Sequence, residues 1–207
     1  MRYRDVVKGI LIRDLRPTML RRAFLLFSEE IMEKILMDSQ AMGRTFSRLA
    51  HEIIEKNENL SDVVLIGVLR RGVPIAEEIS KKIFSFCGKE VPVGTLDISL
   101  YRDDIGEIGD FPSVKSHSID FDIKDKRVIL VDDVIFTGRT VRAAIDAIFD
   151  IARPKCIELL AFVDRGHREL PIKPDFVGKN VPTSLSEKVV VEVERYDGEM
   201  LVKLCTV

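Results

Sequence analysis

The stretch Val128-Ile-Leu-Val-Asp-Asp-Val-Ile-Phe-Thr-Gly-Arg-Thr140 carries most of the information about fold and function in this chain. Its first four residues are apolar, which predicts a buried parallel strand that ends at two acids, Asp132 and Asp133. The Thr-Gly-Arg-Thr turn that follows predicts the start of a helix. Because ligands in open α/β sheets bind at the carboxyl ends of the strands, we predict a ligand site at this turn.

The residue types in the turn suit a phosphorylated sugar. Free N–H groups at a helix start, the hydroxyls of Thr137 and Thr140, and Arg139 together form a cradle for a phosphate. The two neighbouring carboxylates can accept hydrogen bonds from paired sugar hydroxyls, so the motif predicts a site for a ribose 5-phosphate. The structural alternative is an acidic strand end that merely caps a helix. Neither a Walker A pattern nor a GxGxxG dinucleotide pattern occurs in the sequence.

Strand and helix patterns alternate around this motif, which predicts an α/β domain with a mostly parallel central sheet flanked by helices. The segments 102–118 and about 164–188 lack either periodicity and predict a lid loop and a small loop-built hood. The Asp197-Gly198 pair predicts a hairpin. The predicted helices are 39–56 with Ser39 as its cap, 74–86 and 140–152; the predicted strands are 62–67, 91–101, 127–131, 156–163, 189–194 and 200–204.

Composition narrows the class of protein. The 207 residues are 46% hydrophobic and 32% charged with a net charge of -2, which excludes wholesale disorder and an overall basic surface. The longest apolar runs are far shorter than the roughly 20 residues of a membrane helix. Three widely spaced cysteines without a CxxC pair predict neither a disulfide framework nor a zinc site. We therefore expect a cytoplasmic protein without a membrane segment.

The quoted motif resembles the phosphoribosyl-pyrophosphate (PRPP) binding motif of type I phosphoribosyltransferases. Four further stretches resemble one branch of that superfamily, the PyrR family of bifunctional pyrimidine operon attenuators and uracil phosphoribosyltransferases. The resemblance covers roughly residues 33–207 and implies the type I phosphoribosyltransferase fold. The four stretches are 47–57, 97–104, 163–171 and 177–184.

The resemblance implies transfer of ribose 5-phosphate from PRPP to uracil, which yields UMP and pyrophosphate. Catalytic roles fall on Asp132, Asp133 and Arg102, with Arg102 folding over PRPP. Mg²⁺ is expected to be carried mainly by PRPP, with no protein metal site. PRPP contacts are expected from Arg70, Arg71, Asp132, Asp133, Thr137, Gly138, Arg139 and Thr140, and base contacts from Val163, Asp164 and Arg165. Each of the three arginines 70, 71 and 102 has the alternative of an ordinary solvated side chain.

A second function is implied on the first helix. Ser47, Arg48 and His51 lie on one face and match family positions implicated in RNA binding, although such a stripe alone is more often a solvated face. Arg142 and Arg153 are expected to extend the same patch. The resemblance implies UMP-dependent binding of pyrimidine operon leader mRNA, which promotes transcription termination, by a homodimer or larger homo-oligomer.

Three alternatives remain open from the sequence. The first is a hypoxanthine or guanine phosphoribosyltransferase. The second is an RNA-binding regulator that uses the site only as a nucleotide sensor. The third is a PRPP synthetase, which the lack of a recognisable ATP site disfavours.

The sequence departs from the family pattern at one point near the site. Leu69-Arg70 stands where the family often has Lys-Thr, and we expect this difference to change the affinity for pyrophosphate.

Residues 1–32 have no counterpart in the family pattern. They form an N-terminal extension before the domain at 33–207, and we expect translation to start at Met32. Peptides from residues 1–28 in mass spectra of the native protein would contradict that expectation.

Overall fold

A computed structural model describes residues 33–99, 101 and 118–206. The N-terminal extension and the predicted lid from Arg102 to residue 117 lie outside the described residues. The elements within them are β1 Glu33–Met37, α1 Ser39–Lys56, a 3-10 turn Leu60–Asp62, β2 Val63–Val68, α2 Gly72–Cys87, β3 Val93–Leu96, β4 Arg127–Ile135, α3 Arg139–Ile151, β5 Cys156–Asp164, β6 Phe176–Asn180, β7 Glu187–Glu192, α4 Glu194–Asp197 and β8 Leu201–Thr206.

A five-stranded parallel sheet in the order β3-β2-β4-β5-β6 forms the centre of the described domain. Every residue of β2 is buried, as expected for a strand covered on both faces. One face packs against α1 and α2 through side chains such as Phe46 and Ile79. The other face packs against α3 through side chains such as Ala144 and Ile148. The predicted α/β architecture is confirmed, and β4 occupies the middle of the sheet.

A second sheet joins the two ends of the described chain. β7 and β8 form the predicted hairpin, and β1 pairs antiparallel with β8, so the order is β1-β8-β7. The connection is the short helix α4, which ends at Gly198 with φ 78°. Glycine suits this left-handed position because it lacks a Cβ. The pairing of β1 with β8 was not predicted, because the residues of one short strand do not indicate which distant strand it pairs with.

Some predicted boundaries were wrong. The segment after β5 is not wholly irregular, because β6 lies in it as the parallel edge strand of the central sheet. Phe176 at its start is buried and lies under the Lys56 ammonium, with Nζ 4.8 Å from the ring centroid, so it is a packing residue.

Two other predicted boundaries differ from the structure. β3 covers only 93–96 of the predicted 91–101 strand. The cap of α1 is Asp38, whose carboxylate accepts from the Ala41 N–H, and not Ser39.

No helix in the described ranges combines the length and apolar character needed to span a bilayer.

Candidate active site

The turn between β4 and α3 forms an open phosphate cradle. Gly138 precedes α3 with φ 95°, and no side chain caps the helix. The first N–H groups of a helix have no partner within it, so an uncapped 13-residue helix offers them to an anion. These groups face a cavity of about 350 Å³. The cavity is lined by Asp132, Val134, Ile135, Phe136, Thr137, Gly138, Arg139, Thr140, Val141 and Glu169.

The acid pair joins this cradle to a second cavity. β4 extends through Asp132 and Asp133 to Ile135, so both acids lie in its last residues. The second cavity, of about 430 Å³, is lined by Val68, Leu69, Arg70, Asp97, Ile98, Ser99, Asp132, Asp133, Val134 and Thr140. Asp132, Val134 and Thr140 line both cavities. A ligand can therefore extend from the cradle across the acids to the β2–α2 turn.

The two acids differ in their surroundings. Asp132 is buried, and one of its carboxylate oxygens accepts the Asp133 N–H at 3.0 Å. Burial raises the pKa of Asp133, while the bond from the Val134 N–H and the nearby Arg71 guanidinium oppose that rise. A carboxyl in such surroundings gains from a cationic neighbour when it ionises. Asp132 and Asp133 therefore favour a ligand that brings positive charge with it, such as a developing carbocation or a bound divalent ion.

The two predicted pyrophosphate arginines have different roles in the structure. Arg70 is exposed at the second cavity and makes no ion pair or side-chain hydrogen bond within the described residues, so its guanidinium is available for an anion. Arg71 instead binds Asp197 in a two-pronged ion pair, with Nε–Oδ2 3.1 Å and Nη2–Oδ1 2.8 Å. Because Asp197 ends α4, this pair attaches the small sheet to the start of α2. A pyrophosphate contact from Arg71 stays a prediction.

The Arg71–Asp197 pair predicts a pH-dependent contribution to stability. The hydrogen bond from Arg71 lowers the pKa of Asp197. The pair therefore stabilises the fold above the ordinary carboxyl pKa of about 4, and that contribution is lost as the pH falls through the folded pKa. Urea unfolding should show Asp197→Asn less stable than the parent at about pH 7, with the difference vanishing once the pH falls below the folded pKa of Asp197. Glu199→Gln, at an exposed acid beside Lys203, is the control; an equal effect from it would contradict the assignment.

Arg139 lines the cradle, but its guanidinium is directed to an acid. It pairs with Glu169, with Nε–Oε2 2.8 Å and Nη2–Oε2 2.7 Å. The N–H groups of Glu169 and Leu170 donate to the Thr137 carbonyl at 3.0 and 3.2 Å, so the segment after β5 packs onto the phosphate turn. The backbone N–H of Arg139 donates to the Thr137 hydroxyl at 3.4 Å. A phosphate contact from its guanidinium stays a prediction.

The residues predicted to contact the base have internal partners. Val163 is buried in the core. The Asp164 carboxylate accepts from Arg168 at 2.6 Å and from the Gly166 N–H at 2.9 Å. The largely buried Arg165 donates to the carbonyls of Ser184 and Glu187, and its guanidinium lies 4.1 Å from the Phe136 ring centroid. The structure thus places this segment beside the cavity wall, and direct contact with a base stays a prediction.

Sequence reasoning missed four polar or aromatic side chains that line the cavities. Phe136 and Glu169 lie at the cradle, and Asp97 and Ser99 lie at the second cavity. Phe136 stands inside the quoted motif and could have been found there. The other three stand in the family-like stretches 97–104 and 163–171, which only the folded chain brings to the strand ends.

The predicted RNA contacts lie on two different helices and the segment after one of them. Ser47, Arg48 and His51 lie on α1, which covers one face of the sheet, whereas Arg142 lies on α3 on the opposite face and Arg153 follows the end of that helix. A shared patch stays a prediction, because α1 and α3 cover opposite faces of the sheet within one chain. The individual RNA contacts stay predictions.

Arg48 also has a structural role. It pairs with Glu52 and donates to the carbonyls of Val177 and Gly178 at 2.9 and 2.6 Å, which attaches α1 to the edge strand β6.

Comparison with known proteins identifies the family. A family model described as phosphoribosyl transferase domain matches residues 33–197. Bifunctional protein PyrR from Acetivibrio thermocellus is 56% identical over 163 residues, which are 79% of this chain and 89% of that protein. The chain belongs to the PyrR family. PyrR of Thermus thermophilus is likewise 56% identical over 169 residues, 82% of this chain and 93% of that protein.

Solved structures agree on the fold of this PyrR-family chain. A crystal structure of a hypoxanthine-guanine phosphoribosyltransferase from Bacillus anthracis matches with a TM-score of 0.63 at 19% identity. The match covers 84% of this chain and 97% of that one. At such low identity the likeness concerns the fold alone, and the predicted type I phosphoribosyltransferase fold is confirmed.

Proposed function

We propose that this PyrR-family chain transfers ribose 5-phosphate from PRPP to uracil, and that it binds pyrimidine operon leader RNA in a UMP-dependent way. The observation that carries the enzymatic half is the pair of cavities joined at Asp132. One holds an uncapped helix start for the 5-phosphate, and the other holds Arg70, which is unpaired among the described residues, for the pyrophosphate. The choice of uracil is supported by the family to which the chain belongs.

The chemistry required of the site is a substitution at C1 of the ribose. The bond from C1 to the pyrophosphate oxygen breaks and its electron pair leaves with pyrophosphate. A bond forms between C1 and N1 of uracil, and the N1 proton is released to solvent. Asp132 and Asp133 orient the ribose hydroxyls and stabilise the positive charge that develops at the sugar. Arg70 stabilises the negative charge that accumulates on the leaving group.

Mg²⁺ fits this site as a companion of PRPP. The two carboxylates offer the hard oxygen donors that Mg²⁺ prefers, and within the described ranges no group of three or more His, Cys, Asp or Glu side chains could hold a metal ion. Bound together with PRPP, the ion would be held mainly by phosphate and ribose oxygens beside Asp132 and Asp133, and it would supply positive charge that neutralises the leaving group.

The identity of the nucleotide product tests this proposal. Purified protein with Mg²⁺, PRPP and a mixture of uracil, hypoxanthine, guanine and adenine should yield UMP as the dominant product. IMP or GMP would overturn the uracil assignment in favour of a purine enzyme. Folded protein that binds UMP but forms no nucleotide would favour the sensor alternative.

Arg70 is expected to act mainly on PRPP binding. Arg70→Gln should raise the KM for PRPP about tenfold, because a charge-assisted contact to phosphate contributes about 1.5–3 kcal/mol. The KM for uracil should change little. Arg195→Gln is the control, since its exposed guanidinium pairs with Glu77 outside both cavities. Initial rates at varied PRPP measure the effect, and an unchanged KM would remove Arg70 from the pyrophosphate site.

The RNA half of the proposal places leader mRNA on the exposed face of α1. His51→Ala should weaken binding of the UMP-loaded protein to leader RNA at least fivefold, because side chains that stack on or hydrogen-bond unpaired bases carry RNA recognition. Uracil phosphoribosyltransferase activity should stay within twofold of the parent, as His51 lines neither cavity. Filter binding and the product assay measure the two effects. Parallel loss of both activities would contradict a separate RNA face.

Two further features belong to the proposal. We place the protein in the cytoplasm, where PRPP and nascent transcripts occur. We also propose that it forms a homodimer or larger homo-oligomer, and light scattering tests this assembly state. The domain spans 33–207, including the hood, after an N-terminal extension at 1–32.

A further inference from the structure

The surface of α1 and α2 carries an exposed pair of stacked rings. His51 and Phe86 lie nearly parallel, with ring centroids 4.1 Å apart and an interplanar angle of 13°. Both side chains are exposed, and Phe86 retains 42% of its surface. The other parallel ring pair in the described ranges, Phe46 with Phe162, is wholly buried in the core. The His51–Phe86 stack therefore leaves aromatic surface open to a third planar group.

Cationic side chains flank the stack. Lys82 precedes Phe86 by four residues on α2, and Arg44 precedes His51 by seven on α1, so each lies on the same helix face as its ring. Neither makes an ion pair or a side-chain hydrogen bond within the described residues. A stacking surface with free cations beside it suits a single-stranded nucleic acid, whose bases stack on aromatic rings while its phosphates attract positive charge.

We propose that the His51–Phe86 stack is a base-stacking platform for an unpaired base of the leader RNA, with Arg44 and Lys82 contacting the adjacent phosphates. The inference rests on the RNA half of the proposed function and deepens it. It adds Phe86 and Lys82 from α2 to a surface assigned so far to α1 alone. Since both helices pack on the same face of the central sheet, the platform is rigid before RNA binds.

Phe86→Ala tests the platform, and Phe84→Ala is its matched control. Phe84 lies on the same helix and is 51% exposed, but two residues of separation turn it to a different side of α2. The probe is a stem–loop transcribed from the pyrimidine operon leader of the same genome, with saturating UMP. We expect Phe86→Ala to weaken binding about 5- to 100-fold, as loss of one base stack does. Phe84→Ala and Phe86→Trp should bind within about twofold to threefold of the parent.

Salt dependence separates stacking from charge. Phe86→Ala should leave the slope of log K against log[salt] unchanged, whereas Lys82→Gln should reduce it by about 0.7, as expected for one phosphate contact on a single strand. Product formation from uracil should be unaltered in every variant.

Several outcomes would overturn the platform. If the parent binds RNA and Phe86→Ala binds equally well, the platform is wrong while the RNA proposal stands. A Phe86→Ala protein whose oligomeric mass changes by light scattering, with or without loss of RNA binding, would identify Phe86 as a subunit contact instead. Failure of the parent to bind any leader fragment would remove the RNA half of the proposed function and the platform with it, leaving the uracil assay to judge the enzyme.

Discussion

Asp132→Asn is expected to lower the kcat for UMP formation by about 10²–10³ while the protein stays folded. A preorganised charged group aimed at charge that develops in the transition state typically contributes a factor of this size. The substitution preserves shape, and the amide oxygen of asparagine can still accept the Asp133 N–H that now binds the carboxylate. Steady-state rates with saturating PRPP and uracil, beside a thermal unfolding curve, measure both parts of the prediction.

Asp146→Asn is the matched control for this substitution. Asp146 lies on α3, is 53% exposed and lines neither cavity. Its replacement should leave kcat within about twofold and stability within about 0.5 kcal/mol, as surface substitutions usually do. An Asp132→Asn enzyme that retains parental kcat would show that the acid pair does not stabilise the reacting sugar.

Gly72→Ala is expected to destabilise the fold strongly at the start of α2, next to the site. A Cβ at this position would lie 2.4 Å from the Val131 carbonyl oxygen, a backbone atom in the middle of the sheet. The start of α2 and β4 would have to separate, and overpacking of this kind costs about 1–3 kcal/mol or more. For a chain of this size, a loss of about 3 kcal/mol lowers Tm by roughly 6–12 °C. Because Val131 precedes Asp132, the KM for PRPP should rise as well.

Gly43→Ala is the control for Gly72→Ala, and it should stabilise the protein slightly. A Cβ there meets no atom within 4 Å, and the residue lies inside α1. Alanine in a helix interior is about 1 kcal/mol more favourable than glycine, so this variant should be slightly more stable than the parent. Differential scanning calorimetry of the two variants side by side measures both effects. Equal changes in Tm would contradict the close approach of α2 to β4.

Much of the site was predictable because its signals are local. The apolar run before Asp132 predicts a buried strand, and the turn at Gly138 predicts a helix start without a cap. Both follow from neighbouring residues. The hairpin around Gly198 was predictable for the same reason. The PyrR family was recognisable because its motifs are contiguous stretches of sequence.

Pairings between distant segments were not predictable. The partner of Arg71 is Asp197, over one hundred residues later, and this ion pair attaches the start of α2 to the small sheet. β1 pairs with β8, near the other end of the described chain, and the residues of such a short strand do not indicate that partner. β6 pairs with the preceding strand β5, but its five residues lie in a segment without clear periodicity.

The sequence by itself determined the α/β domain, the phosphate turn and the acid pair, because periodicity, turn chemistry and adjacent charges act over a few residues. Only the tertiary structure decided that Arg71 pairs with Asp197, which helices share a face and which rings stack on the surface. Those properties depend on the order of strands in the sheet. That order is set by the burial of apolar surface over the whole domain and by contacts between residues far apart in the chain.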